Sequence, residues 1–200
     1  MEFLDSTDAE GLHGRLARWC ESEGGEYGWV FDGPADPTAQ GLGEASVVGF
    51  DVTAFLEVEA IRTPLTLYLF HLVRQALDGR RLVVWMDEFA KLLGDPAFEG
   101  FARDGLKTWR KLNAVAAFAT QSPSDVLASP IARTLVEQTP TKVLFPNLEA
   151  QREEYVDGFG LSEREFELIG RELTPGSRRF LLKQGFQGIV CELDLKGFEV

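Results

Sequence analysis

The sequence predicts an α/β domain built on a mostly parallel, doubly wound sheet, with an antiparallel β-hairpin at its C-terminal end. Two apolar runs, Leu82 to Met86 and Ala114 to Ala119, carry no polar alternation, as strands covered on both faces do. Helical spacing falls between them, so the order is strand, helix, strand. After Arg178 the pattern changes to the period-2 alternation of an edge pair folded around Gln184-Gly185. Two hundred residues with 44% hydrophobic content suffice for one core. The expectation is a single, partial domain over 1–200, with a helix and long loop in 1–46, an α/β core in 47–147, and helices and the hairpin in 148–200.

Taken in order, Leu12, Leu16 and Trp19 space a helix over Gly11 to Glu21, and Gly24 to Ala45 is a Gly-, Pro- and Asp-rich loop. Val47 to Val52 reads as a short strand. Thr63-Pro64 supplies a capping hydroxyl and an N1 proline ahead of Leu65, Leu69, Leu72, Val73 and Ala76, so a helix is expected to start there and end at Asp78-Gly79. Phe98, Phe101, Leu106, Trp109 and Leu112 mark the helix between the two buried strands, and core packing accounts for Trp85 and Trp109. Ser129-Pro130 opens a short helix, Thr141 to Phe145 makes a third strand, and Pro146-Asn147 stops it before a helix at Leu148 to Tyr155. Ser162-Glu163-Arg164-Glu165 is a capping box with Leu161 and Phe166 as its staple.

Composition excludes several function classes. A net charge of −12 and an isoelectric point near 4.7 oppose a general grip on nucleic acid, which needs a basic surface. Cys20, Cys191, His13 and His71 are isolated and give neither zinc spacing nor a disulfide framework. No apolar run approaches the roughly 20 residues of a membrane span, and the first residues lack a basic segment followed by an apolar core, so the expected location is cytoplasmic.

The chemistry concentrates in Arg81-Leu-Val-Val-Trp-Met-Asp87-Glu88, an apolar strand ending in adjacent acids. That is the form of a Walker B strand. In a P-loop ATPase the first acid, here Asp87, holds Mg²⁺, and the second, here Glu88, polarises the water that attacks the γ-phosphate. The next apolar strand ends in Thr120-Gln121-Ser122. If the two strands are neighbours, the Gln121 amide stands beside Glu88 at the edge where open α/β sheets bind ligands. Gln121 can then contact the γ-phosphate or the attacking water; a helix-capping loop is the structural alternative. Missing is a Gly-x-x-x-x-Gly-Lys-Ser/Thr run: the chain has no Gly-Lys pair at all, and so no phosphate cradle of that kind.

Arg103, Lys107 and Lys111 recur at helical spacing with Arg110 beside them, giving a basic stripe that is either a solvated helix face or a contact for phosphates or a neighbouring subunit's acids. Arg62, Arg133, Arg178 and Arg179 are further candidates for an arginine acting in trans.

The ordered series Thr63-Pro-Leu-Thr-Leu-Tyr-Leu-Phe-His71, Val84-Trp-Met-Asp-Glu-Phe-Ala-Lys-Leu-Leu93, Leu106-Lys-Thr-Trp-Arg-Lys-Leu-Asn113, Ala119-Thr-Gln-Ser-Pro-Ser-Asp125 and Phe145-Pro-Asn147 resembles the C-terminal ATPase domain of the VirB4 family of type IV secretion ATPases. Phe31-Asp32, Gly49-Phe-Asp51, Phe159-Gly-Leu161 and Arg179-Phe-Leu-Leu-Lys-Gln184 extend the match from about Leu12 onward. The resemblance implies a RecA-like fold, ATP with Mg²⁺, hexamer formation, other secretion subunits as partners, and the energising of substrate export or pilus assembly at the inner membrane. It also implies Asp87 as the Mg²⁺ acid, Glu88 as the water-polarising acid and Gln121 as a sensor-like amide. Lys107, Arg110 and Lys111 fall in the family's basic segment. Family members carry the phosphate-binding strand, loop and helix upstream of the region matching Leu12 to Asp51; here Met1 to Gly11 precede it. The expectation is therefore a piece whose hydrolysis depends on that upstream part. Two other readings are a non-catalytic scaffold subunit and a DNA-translocating motor of the coupling-protein or FtsK/HerA type.

Overall fold

A computed structural model describes residues 10–33, 41–42, 45–121 and 123–197. The chain divides into two compact units, Met1–Ala76 and Leu77–Val200. In the first, α1 (Leu12–Ala17) is followed by short helical turns, and aromatic contacts tie them together: Trp19 to Tyr27 at 5.0 Å and to Phe31 at 5.4 Å between ring centroids. The expected strand at Val47 to Val52 does not form. Residues 45–52 are irregular and pair with no strand among the described residues, so their backbone has no ladder to join. Asp51 Oδ1 instead accepts the Thr53 N–H at 3.1 Å and turns the chain into the helical turn Thr53–Leu56.

The long helix α2 spans Glu59–Ala76, five residues longer at its start than the Thr63-Pro64 signal predicts. Ile61 and Arg62 N–H groups already bond Val58 O at 3.0 and 2.9 Å, so Pro64 lies inside the helix. A proline near the start of a helix removes one hydrogen bond and is tolerated more easily there than in the middle.

In the second unit β1 (Leu82–Met86) pairs in parallel with β2 (Ala114–Phe118), in the register Leu82 to Ala114 through Met86 to Phe118. The connecting helix α3 covers 96–112 and is not uniform. It runs α-helical over Pro96–Gly100, π-helical over Phe101–Gly105, α-helical again over Leu106–Trp109, and 3₁₀ over Arg110–Leu112. Asn113, in the left-handed region at φ 58°, ends it. The N-terminus of α3 is set by a cap the periodicity does not reveal. Asp95 Oδ1 accepts the Ala97 and Phe98 N–H groups at 2.9 and 3.4 Å, with Pro96 at N1. Asp95 is buried, and Asp95→Ala is expected to cost about 1–2 kcal/mol through loss of the cap. Thermal unfolding of the two proteins measures it, and an unchanged midpoint would remove the cap from the account.

The second sheet orders β3 (Thr141–Leu144), β4 (Arg179–Gln184) and β5 (Gln187–Glu192), all antiparallel. The hairpin turn is Gly185-Phe186, with Gly185 at φ 59°, the conformation a two-residue turn with glycine first requires. The architecture is thus mixed α/β with a parallel pair and an antiparallel hairpin, and two predicted details change. The third strand does not continue a single parallel sheet, because β4 takes its paired edge in antiparallel register. Nor is the parallel pair covered on both faces. Leu82, Val84 and Met86 are half-buried, whereas Val83, Trp85 and Val115 are 67%, 69% and 59% exposed, so core packing does not account for Trp85. Trp109, 2% exposed, does sit in the core.

After β3 the chain does not enter a helix at Leu148. Asn147 Oδ1 accepts the Glu149 N–H at 3.0 Å and the Gln151 amide donates to Glu149 O, so side chains hold a turn there. Helical backbone begins at Arg152 and runs through a π-helical segment, Glu153–Gly158. The predicted capping box opens α4 (Glu163–Glu167), which continues π-helically over Leu168–Glu172. Tyr155, Leu161, Ile169, Leu173 and Leu181 pack as the core between these helices and the hairpin.

Candidate nucleotide-hydrolysis site

Adjacent parallel strands put the predicted acids and the predicted amide at the same sheet edge. Beyond Met86 the ladder continues for one step on each side of the acid pair: Ala119 donates its N–H to Met86 O at 2.9 Å, and Phe89 donates its N–H to Ala119 O at 3.2 Å. Asp87 and Glu88 are therefore clamped between two inter-strand hydrogen bonds at the C-terminal end of β1. Gln121 follows two residues after Ala119, beside them at the end of β2. All three side chains are exposed at that edge.

Glu88 adopts φ 48° and ψ 36°, left-handed backbone that a non-glycine residue rarely takes and that is sparsely populated outside functional or tightly constrained positions. The anchor that holds it is Phe89, 4% exposed, whose ring lies 5.1 Å from Phe118 and 6.0 Å from Phe98. Phe101 and Trp109 extend the same aromatic cluster, their rings 5.0 Å apart, so α3 fixes the strand end from one side. Sequence periodicity marked Phe98, Phe101 and Trp109 as helix core but gave no sign that Phe89 joins them.

Asp87 Oδ1 accepts the Glu88 N–H at 3.0 Å, leaving one carboxylate oxygen for another partner. Glu88 pairs with Lys91 at 3.4 Å across a solvent-exposed gap, a contact that a ligand can displace at small cost. Among the described residues no group of three or more His, Cys, Asp or Glu side chains could hold a metal by itself. A single free carboxylate oxygen fits Mg²⁺ that arrives with phosphates and keeps its waters, and does not fit an all-protein metal cage.

The basic residues fall elsewhere. Lys107, Arg110 and Lys111 are exposed on the part of α3 that leads into the N-terminal end of β2, the opposite end of the strands from Asp87, Glu88 and Gln121. Five residues of strand separate the two ends by roughly 13 Å. Arg103, within the π-helical segment, pairs with Glu99 at 3.7 Å. Of the other arginines, Arg133 pairs with Glu137 at 2.7 Å and Arg179 with Glu192 at 2.9 Å. Arg178 is exposed with left-handed backbone at φ 60°. A cavity of about 320 Å³ lined by Leu127, Ala132, Arg133, Val136, Glu137 and Gly158 shares no residue with the acid pair.

No family model matches the chain. Curated relatives do. It is 49% identical over 195 residues to the type IV secretion system protein virB4 of Bartonella quintana, covering 98% of this chain and 24% of that protein. It is 43% identical over 189 residues to virB4 of Brucella suis, and 44% identical over 189 residues to the type IV secretion system protein PtlC of Bordetella pertussis, covering 92% of this chain and 22% and 23% of those proteins. The chain thus spans about a quarter of the length of the curated relatives it matches. Among solved structures, VirB4 of Thermoanaerobacter pseudethanolicus superposes with a TM-score of 0.72 at 23% identity, over 94% of this chain and 51% of that one, which establishes the likeness of fold.

Proposed function

Because this chain is homologous along nearly its whole length to one segment of the VirB4 proteins of type IV secretion systems, we propose that it is the acid-bearing part of a secretion ATPase with a RecA-like core. Working hydrolysis would require a phosphate-binding segment outside residues 1–200. The observation that carries this reading is the clamped pair Asp87-Glu88 beside a strand that ends in Gln121.

In this reading Asp87 holds Mg²⁺ through its free oxygen, and the bound ion, when present, neutralises charge on the transferred phosphoryl group. Glu88 orients and polarises the attacking water, with its left-handed backbone turning the carboxylate out of the sheet edge. Gln121 hydrogen-bonds the water or the γ-phosphate. Arg110, with Lys107 and Lys111, stands too far along the strands to meet the same nucleotide, so we assign those cations to the phosphates of a neighbouring copy. The assembled protein is proposed to be a ring, hexameric as the family resemblance implies. It would lie on the cytoplasmic side, peripheral to the inner membrane, and work with other secretion subunits on substrate export or pilus assembly. Among the described residues no helix is long and apolar enough to cross a membrane.

Two measurements test the proposal. Calorimetry of the 200-residue chain with Mg-ATP should show no binding, because the phosphate cradle is absent from its sequence; micromolar binding would mean that another loop supplies a cradle and that the site is misdescribed. A chimera in which this chain replaces the matching quarter of Bartonella quintana virB4 should hydrolyse ATP and support secretion. A chimera that assembles and supports secretion without hydrolysis would favour the scaffold reading instead.

A further inference from the structure

The chain has six lysines, and four of them, Lys91, Lys107, Lys111 and Lys196, are exposed. The other two meet in the second sheet. Lys142 of β3 and Lys183 of β4 stand directly opposite each other in antiparallel register, on the face that also turns Leu144 and Leu181 toward the core. Residues paired in this way have Cβ atoms about 4.5–5.5 Å apart, and like charges placed there repel.

The acid beside them serves Lys183 alone. The Glu165 carboxylate receives the Lys183 ammonium at 2.8 and 3.0 Å, and its Oε2 also accepts the Ser162 N–H at 2.7 Å and the Ser162 hydroxyl at 2.9 Å. Lys142 forms no ion pair among the described residues, and its ammonium donates to Thr139 O at 3.2 Å. Three protons on a partly buried nitrogen thus meet one carbonyl and a second cation. Burial, with the Lys183 charge added, accordingly holds Lys142 below the usual lysine range, which favours the free amine, the nucleophilic form.

We propose that Lys142 is a modification site, acylated at Nζ by small acyl phosphates, and that Lys183 opposite it is the neighbour that selects it. The Nζ lone pair attacks the acyl carbon, a C–N bond forms, and the C–O bond to phosphorus-bound oxygen breaks. Phosphate leaves with that electron pair, water takes the proton the nitrogen sheds, and nothing is oxidised or reduced. The amide suits its surroundings better than the ammonium does. It keeps one N–H for Thr139 O, and without a charge it no longer opposes Lys183. Its new carbonyl is an acceptor, and Lys183 has a third N–H beyond the two given to Glu165. Acylation here removes a repulsion and breaks no ion pair, so it should tighten the pairing of β3 with β4. The inference uses none of Asp87, Glu88 and Gln121, so it and the hydrolytic reading fail separately.

Incubating the folded 200-residue chain with acetyl phosphate, and following acetyl-lysine by peptide mass spectrometry, tests it. The Lys142 peptide should acquire the group roughly threefold or more faster than the four exposed lysines, because a lowered amine pKa gains more in free-base fraction than it loses in nucleophilicity. In denaturing urea, where Lys142 and Lys183 no longer face each other, that preference should vanish. The urea midpoint of the folded protein should rise as Lys142 is acetylated, and Lys142→Gln, which puts a neutral amide at the position, should have a raised midpoint without treatment. Lys142→Arg keeps the charge, and the same treatment should leave its midpoint unmoved. Labelling of Lys142 no faster than the exposed four would overturn the inference, as would a preference that survives unfolding and so belongs to the local sequence. So would a midpoint that falls with acetylation of Lys142, or a rise that persists in Lys142→Arg and so belongs to the other lysines.

Discussion

Replacing Glu88 by glutamine in the virB4 chimera is expected to lower the ATP turnover number by roughly 10²–10⁴-fold while leaving the Mg-ATP binding constant within a factor of about two. The substitution keeps the shape of the side chain and removes only its capacity to accept a proton from water, so a loss confined to turnover identifies a group that acts on the attacking water. The structural cost is small by construction. Glu88 is exposed and its ion pair to Lys91 is solvent-screened, so folding should be unaffected. The neighbouring acid separates from it cleanly. Asp87→Ala should weaken binding of Mg-ATP relative to metal-free ATP, because the lost carboxylate oxygen is the one left over after Asp87 caps the Glu88 N–H. Steady-state kinetics with a separate binding titration distinguishes the two, and normal turnover in the Glu88 variant would sink the assignment.

The placement of these residues at one sheet edge was largely readable in the sequence because strand, acids and amide are local signals. Apolar runs ending in Asp87-Glu88 and in Thr120-Gln121 need only a parallel pairing to bring them together, and that pairing forms. Long-range consequences were not readable. The exposure of Trp85 depends on what covers the second face of the pair, which an apolar run does not encode. The partner of β3 was decided by the hairpin forty residues downstream, and a run such as Thr141 to Phe145 is equally compatible with either neighbour. The meeting of Lys142 with Lys183 is a product of register. Local side-chain competition explains the remaining misses: Asn147 captures the backbone that would have begun a helix, and Asp95 supplies a cap where only Pro96 was conspicuous.

The largest stability effect is expected at a contact no motif announced, between the capping-box glutamate and the hairpin. Glu165 is bound at its own helix start, accepting the Ser162 N–H at 2.7 Å, and its carboxylate also receives the Lys183 ammonium at 2.8 and 3.0 Å. Both side chains are about nine-tenths buried. Gly188, opposite Lys183 in the hairpin, leaves the room: a Cβ there would stand 2.5 Å from Glu165 Oε1. Removing one member of a buried pair strands the other charge and costs about 3–5 kcal/mol. The two single variants should not be equal. Lys142 faces Lys183 across β3 and β4, and burial together with the Lys183 charge holds its ammonium below the usual lysine range. Glu165→Gln therefore leaves the buried Lys183 ammonium without its anion and still facing Lys142, whereas Lys183→Met also removes that repulsion, so the glutamate variant should be the less stable. Acid adds an independent check. Burial alone would raise the Glu165 carboxyl, but hydrogen bonds from Lys183 and Ser162 outweigh it and hold the group below its ordinary 4.5. The folded state thus binds its proton less readily than the unfolded chain. The contribution is complete above the unfolded value and is lost as pH falls through the folded one. Urea unfolding of wild type and Glu165→Gln between about pH 7 and 3 should show the gap between them closing in the acid range, and a gap that stays constant to pH 3 would remove the ion pair as its cause.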